Sequence, residues 1–193
     1  MKTKILSALL LSFVLFGFKT FEGKSYKVDK EKTQISVSGT SSLHDWETNV
    51  KKCDGDLTVQ LRDDNTIENI TYLYINFFSS SFNSGKSSMD DKTTEALKAE
   101  KFPLINFKLV EIKEVKDLNK YQQFVASGKL TIAGVTKLVD LKAISTIGPN
   151  GEIYFQGNKT IDMTDYGITP PTAVFGTIKS GKDVTISYKI YFN

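Results

Sequence analysis

From Tyr26 to Phe192 apolar side chains return at every second position, and that period of two decides what the chain can build. Tyr26 and Val28 alternate with Lys27 and Asp29, Leu57, Val59 and Leu61 with Thr58 and Gln60, and Val184, Ile186, Tyr188, Ile190 and Phe192 with Asp183, Thr185, Ser187 and Lys189. Successive side chains of a strand point to opposite faces, so each run is a strand with one dry and one wet face, as in an antiparallel sheet. Phe124, Ala126, Leu130 and Ile132 share a face broken only by Gly128, and Val139, Leu141 and Ala143 oppose Asp140 and Lys142. Turn chemistry at Asp54-Gly55, Asp63-Asp64-Asn65, Ala133-Gly134, Gly148-Pro149-Asn150-Gly151 and Ser180-Gly181 divides the runs. About eight or nine strands at this spacing predict a sandwich or a barrel.

Two segments are apolar on both faces. In Ile70 to Phe78, Leu73, Ile75 and Phe77 oppose Tyr72, Tyr74 and Phe78, and in Leu104 to Ile112, Ile105, Phe107 and Leu109 oppose Leu104, Val110 and Ile112. The second face offers a surface on which a helix can pack. One segment has helical spacing: Ser87-Ser88-Met89-Asp90-Asp91 supplies capping hydroxyls and first-turn carboxylates, and Met89, Thr93, Ala96 and Leu97 recur until Phe102-Pro103 stops them. A helix from about Ser87 to Lys101 is expected, lying across the sheet or over an open barrel end.

The chain has 193 residues, enough for one domain with a full core. At the N-terminus Lys2 and Lys4 precede an uncharged apolar run from Ile5 to Phe18, the pattern of a secretory signal peptide. The run is shorter than the roughly 20 residues a membrane span requires. Gly23-Lys24-Ser25 is the nearest small-x-small match, so residues 1–25 are expected to be removed and residues 26–193 to form a single secreted or periplasmic domain with no stable membrane span. The formal charge of +3 belongs to the removed segment, where four lysines outweigh Glu22, so the remainder is neutral. Its lysines are interspersed with acids, which leaves no electrostatic footprint for nucleic acid. Arg62 is the only arginine and Cys53 the only cysteine, read as a packed thiol.

The only histidine and the only tryptophan stand two apart, in Gly39-Thr-Ser-Ser-Leu-His-Asp-Trp46. A general-base reading of His44 needs Asp45 to orient it, yet neighbouring residues of an extended chain point to opposite sides. A Ser/Asp-rich crossing between two strands, satisfying its own backbone or forming the rim of a ligand site, is favoured. Alternation puts Trp46 toward the interior near a barrel mouth and His44 on the same side, closer to water. With a single histidine no zinc or iron cluster is expected, no Gly-x-Ser-x-Gly elbow is present, and no cofactor is expected.

The order Tyr-Lys-Val-Asp at 26–29, Ser-Gly-Thr-Ser-Ser-Leu-His-Asp-Trp at 38–46, Met89-Asp90 opening a helix that runs to Ala-Glu-Lys-Phe-Pro-Leu-Ile-Asn-Phe at 99–107, Gly-Lys-Leu-Thr-Ile-Ala-Gly-Val-Thr-Lys at 128–137 and Ile-Asp-Met-Thr-Asp-Tyr-Gly-Ile at 161–168 resembles the YceI-like family over the whole mature chain. The resemblance implies an all-β, lipocalin-like antiparallel barrel of about eight strands with one amphipathic helix. It implies a non-enzymatic periplasmic protein that holds a polyisoprenoid or similar long-chain amphiphile inside. The candidate ligand-binding residues are His44, Trp46, Phe77, Met89, Phe107, Phe124, Phe155 and Tyr166. The alternatives are a hydrolase using His44 and a small outer-membrane barrel. Oligomeric state is left open, a homodimer included, as is the choice between a cavity and a sealed core.

Overall fold

The computed structural model describes residues 23–193, and all but the last three residues of the expected signal peptide lie outside them. In chain order the elements are β1 (Lys24–Lys27), β2 (Gln34–Ser41), β3 (Trp46–Val50), β4 (Cys53–Leu61), β5 (Ile67–Phe78), β6 (Phe82–Asn83), α1 (Ser87–Ala96), β7 (Leu104–Leu118), β8 (Tyr121–Ile132), β9 (Val135–Ile147), β10 (Ile153–Asp162), a 3-10 turn (Met163–Tyr166), β11 (Thr172–Ala173) and β12 (Ile178–Phe192). Lys24 and Ser25 already pair with Val59 and Thr58, so a cut after Ser25 trims β1 to Tyr26 and Lys27.

Eleven strands follow one antiparallel path, β1-β4-β5-β7-β8-β9-β10-β12-β2-β3-β6, with β11 attached to β12. The path closes because its first members are halves of bent strands. Beyond β1, Val28 bridges Phe192 of β12, and Lys27 and Asn193 exchange backbone hydrogen bonds at 2.9 and 3.0 Å, so β1 and β2 form one pass beside β12. Lys51 and Lys52 join β3 to β4 and keep bonding to Ser81 and Phe78, which join β6 to β5. Counted as continuous passes, the sheet is an eight-stranded up-and-down barrel, agreeing with the sequence-based number.

Bulges set where alternation fails. The β7/β8 register shifts between Leu109 and Glu111, so Ile112, expected outside, turns inward with Leu109 three positions away. A shift between β4 and β5 does the same for Ile70 and Leu73. Ser180-Gly181, expected as a turn, lies within β12 at a third irregularity, and Asp54-Gly55 runs through β4, where Asp54 accepts a 2.8 Å bond from Asn76 across the ladder.

The helix is shorter than expected. It ends at Ala96 because Lys98 takes φ 52°, and the amides of Lys98 and Ala99 turn back to the carbonyls of Glu95 and Thr94 in a Schellman motif. No side chain caps its first turn; Asp90 instead accepts bonds from the amide and hydroxyl of Ser84 at 2.7 Å each. It does not cover the outer face of β5 and β7, where Tyr72 and Val110 are exposed, and reaches across the barrel end beside β6.

The opposite end is sealed. Leu57, Val59, Ile67, Ile153 and Phe192 are 0% exposed there, and Phe155 meets Phe124 and Phe192 edge to face at 5.9 and 6.1 Å. Cys53 is buried in this cluster, and burial pushes its thiol pKa up, as fits a packed side chain. Buried Gln122 accepts from the Ile67 amide at 2.7 Å and donates to the Ile67 carbonyl at 2.9 Å and to Asp117 at 2.6 Å, closing the backbone where β5 begins. Replacing Gln122 with Leu strands two buried backbone groups, a cost of about 2 kcal/mol. Urea unfolding should show a lower midpoint for Gln122→Leu, and an unchanged midpoint would mean that water satisfies Ile67.

Candidate functional site

Between the sealed end and α1 the barrel encloses a cavity of about 400 Å³. Its lining descends from exposed Leu43 and His44 through half-buried Trp46 to fully buried Phe192, so it opens at one end only. The inward side chains of every pass contribute: Val37, Ile75, Phe77, Phe107, Leu130, Leu141, Phe155, Ile186 and Ile190 among them. The charged members of the wall are Lys86, Lys92 and Lys159, and no carboxylate is among them. Among the described residues no group of three or more His, Cys, Asp and Glu side chains could hold a metal.

The rim is built by short-range chemistry. The Ser41 hydroxyl donates to the His44 carbonyl at 2.7 Å and accepts from the Leu43 and His44 amides at 3.2 Å, folding the Ser/Asp-rich crossing on itself. The His44 ring nitrogen Nδ1 lies 2.7 Å from the Asp45 carbonyl oxygen, and the imidazole is exposed. No nucleophile-base pair results, since the Ser41 hydroxyl is engaged with backbone and the Asp45 carboxylate does not hold the ring. Trp46 donates its Nε1–H to the Thr40 carbonyl at 3.0 Å, which lays the ring over Gly39. A Cβ on Gly39 would stand 2.5 Å from Trp46 Cζ2, so only glycine leaves the indole its place. Gly128, the gap in its strand's apolar face, likewise makes room for the Phe107 ring.

Seven of the eight residues expected from sequence line the cavity: His44, Trp46, Phe77, Met89, Phe107, Phe124 and Phe155. Tyr166 does not. It is 2% exposed within a second core cluster, behind a wall that Met163 and Ile168 complete. The 3-10 turn causes this displacement. Asp162 accepts from the Thr164 amide and hydroxyl at 2.9 and 2.6 Å and pairs with Lys182 at 2.6 Å, contacts that hold its carboxyl down to about 2, the Lys182 bond foremost. Period two does not apply in such a turn, so alternation could not single out Met163 and Ile168. The signal in sequence was Gly167, whose φ of 67° ends the turn. Ile70 and Ile112 were missed because bulges are invisible to a strict period.

Tyr188 is the wall's most perturbed titratable group. Burial pushes its phenol up to about 12, and its hydroxyl donates to the Lys142 carbonyl at 3.2 Å, so the cavity sees a neutral ring. The folded value lies above the unfolded one near 10. The contribution is therefore complete below about pH 10 and lost as pH rises toward 12.

α1 closes much of the mouth. Met89, Thr93, Ala96 and Leu97 turn to the cavity, yet no residue of the helix itself is buried. Leu97, just past its end, is buried, and Lys98 donates to the Gly167 carbonyl at 3.3 Å, tying the helix to the 3-10 turn. The outer faces carry Lys27–Asp56, Arg62–Asp117 and Lys113–Asp140 pairs, at variance with the apolar outer band of an outer-membrane barrel. No helix among the described residues is long and apolar enough to cross a membrane.

Residues 26–192 match the family described as YceI-like domain. A polyisoprenoid-binding domain from Saccharophagus degradans, implicated in plant cell wall breakdown, superposes with a TM-score of 0.66 at 10% identity, covering 87% of this chain and 97% of that one. BcnA of Burkholderia cenocepacia gives 0.63 at 18% identity over 85% and 98% of the two chains, and a YceI protein of Campylobacter jejuni gives 0.56 at 21% over 75% and 82%. These identities carry the fold. No curated protein matches the chain.

Two outcomes follow from the geometry. In a spectroscopic pH titration Tyr188 should ionise late, and Tyr188→Phe should remove a step near pH 12; loss of an ordinary step near pH 10 would place the ring in water. Gly39→Val should move Trp46 off the rim and shift its emission to the red, whereas an unchanged spectrum would show that the indole is not held by this contact.

Proposed function

The chain belongs to the YceI-like family, and from that premise we propose that it is a binding protein that carries a long-chain amphiphile, such as a polyisoprenoid, in the barrel. The observation that carries the reading is a cavity of about 400 Å³ walled by aliphatic and aromatic side chains from every pass, open at one end and plugged at the other by Phe192 and its neighbours. That volume falls in the range of small-molecule sites, about 300–1,000 Å³. A chain entering it gains about 0.8 kcal/mol per buried CH₂ before association costs are subtracted. A polar head then stays at the mouth, beside His44, Lys86 and Lys92. The similarity to a polyisoprenoid-binding domain supports this ligand class.

Export completes the proposal. Lys2, Lys4 and the apolar run from Ile5 to Phe18 support removal of residues 1–25 and work in the periplasm or outside the cell. A carrier of water-insoluble chains is useful between membranes. The ring contacts at His44 give no support to hydrolysis.

Native mass spectrometry of the protein purified from cells, followed by organic extraction, tests the reading. The expected result is an apolar passenger released by solvent and replaced by an added prenyl or fatty chain. A bare mass with no uptake of either chain would sink it.

A further inference from the structure

Two local rules are broken together at one tip of the barrel. Val174 and Phe175 take φ 50° and 51°, followed by Gly176 at 85°, so a β-branched and an aromatic residue hold the left-handed conformation that side chains avoid. The turn is fixed by bonds from the Gly176 amide to Ala173 and from the Thr177 amide to Val174, at 3.1 and 3.0 Å. It turns its apolar side chains away from the protein: Phe175 is 110% exposed and Val174 61%. Strain that is not repaid by packing marks a segment shaped for something else.

The tip stands at the cavity mouth. Thr172, Ala173 and Ile178 on either side of it line the cavity. The Ser42 amide donates to the Lys179 carbonyl at 2.9 Å and the Lys179 amide to the Ser42 hydroxyl at 3.1 Å, which brings in the neighbouring loop and its 65% exposed Leu43. The charged side chains that line the mouth are Lys86, at the N-cap of α1, and Lys92, while Asp90, Asp91 and Glu95 of the same helix lie outside the wall. From Tyr166 to Ser180 the only charged residue is Lys179, and from Ser38 to His44 there is no acid. Asp45, which follows His44, lies outside the wall.

We propose that this mouth docks on an anionic lipid bilayer, with Phe175, Val174 and Leu43 entering the interface and Lys86, Lys92 and Lys179 facing the head groups. The inference rests on the carrier reading for its purpose, since an insoluble chain moves between bilayer and cavity without crossing water only if the mouth sits on the surface. Apolar side chains set in a cationic rim are what such a surface binds. The strained turn keeps the side chains from folding back onto the barrel.

Flotation of the protein with vesicles of phosphatidylglycerol and phosphatidylethanolamine tests the proposal. Phe175 does not line the cavity. Phe175→Ser should lower partition about tenfold, the loss expected for one buried aromatic side chain, and leave uptake of a fluorescent fatty acid from solution unchanged. Val174→Asn, which the left-handed conformation tolerates, should also float less while melting no lower than the parent. Partition of Phe175→Ser equal to the parent's would overturn the proposal. So would a dimer in sedimentation that Phe175→Ser dissolves, which would give the tip to a second copy. Vesicle binding that depends on Phe175 in a protein that takes up no fatty acid would keep the docking surface and remove the carrier.

Discussion

Closing the sheet at eight passes is the constraint on which the rest depends. A barrel of that size has an interior that side chains can just fill, or that accommodates one small ligand. Which outcome holds is decided level by level, by side-chain volume. At the sealed end Phe124, Phe155 and Phe192 pack edge to face with Leu57 and Ile153, and the space is spent. Toward the mouth the ladder sets Ala126 beside Leu141 and leaves Val37 and Thr48 in the wall, and the same radius encloses empty volume. One barrel therefore contains both a core, which stabilises it, and a cavity, which the core can support because the ends are far apart.

The first three passes achieve closure by bending. A strand that continued straight through Lys51-Lys52 or Ser79-Ser81 would leave β1 and β6 as open edges, which invite pairing with other chains. The corners keep hydrogen bonds running through the bend, and Gln122 does the same for the Ile67 backbone. The mouth is held more lightly. α1 buries none of its own residues and is fixed by Asp90 to Ser84 and by Lys98 to Gly167, so it is the part of the wall that opens at least cost.

Most of this was legible in the sequence because a half-buried strand writes its faces into the chain. The inward side of β12, from Val184 to Phe192, appears residue by residue in the cavity wall. Trp46 and His44 share the rim as expected, but a turn rather than alternation puts them there: Ser41 bonds to the backbone of Leu43 and His44, and both of those neighbours line the cavity. What escaped was whatever breaks the period. Ile70 and Ile112 turn inward because a bulge adds one residue, Ser180-Gly181 reads as a turn but bends a strand, and Tyr166 sits behind the wall because a 3-10 turn, not a strand, carries it. The helix, with a period of its own, was found, but its end was set by Lys98 adopting a conformation that sequence rarely assigns to lysine.

Trp46 is the only tryptophan, so quenching of its emission reports on one place in the wall. The most direct test of a one-ended cavity uses two brominated acyl chains, one carrying bromine beside the head group and one at the tail. A chain seated tail-first should quench Trp46 strongly when brominated beside the head and weakly when brominated at the tail, with equal affinities. Equal quenching by both chains, or none by either on proven binding, would contradict a ligand that enters past Trp46 and ends against Phe192.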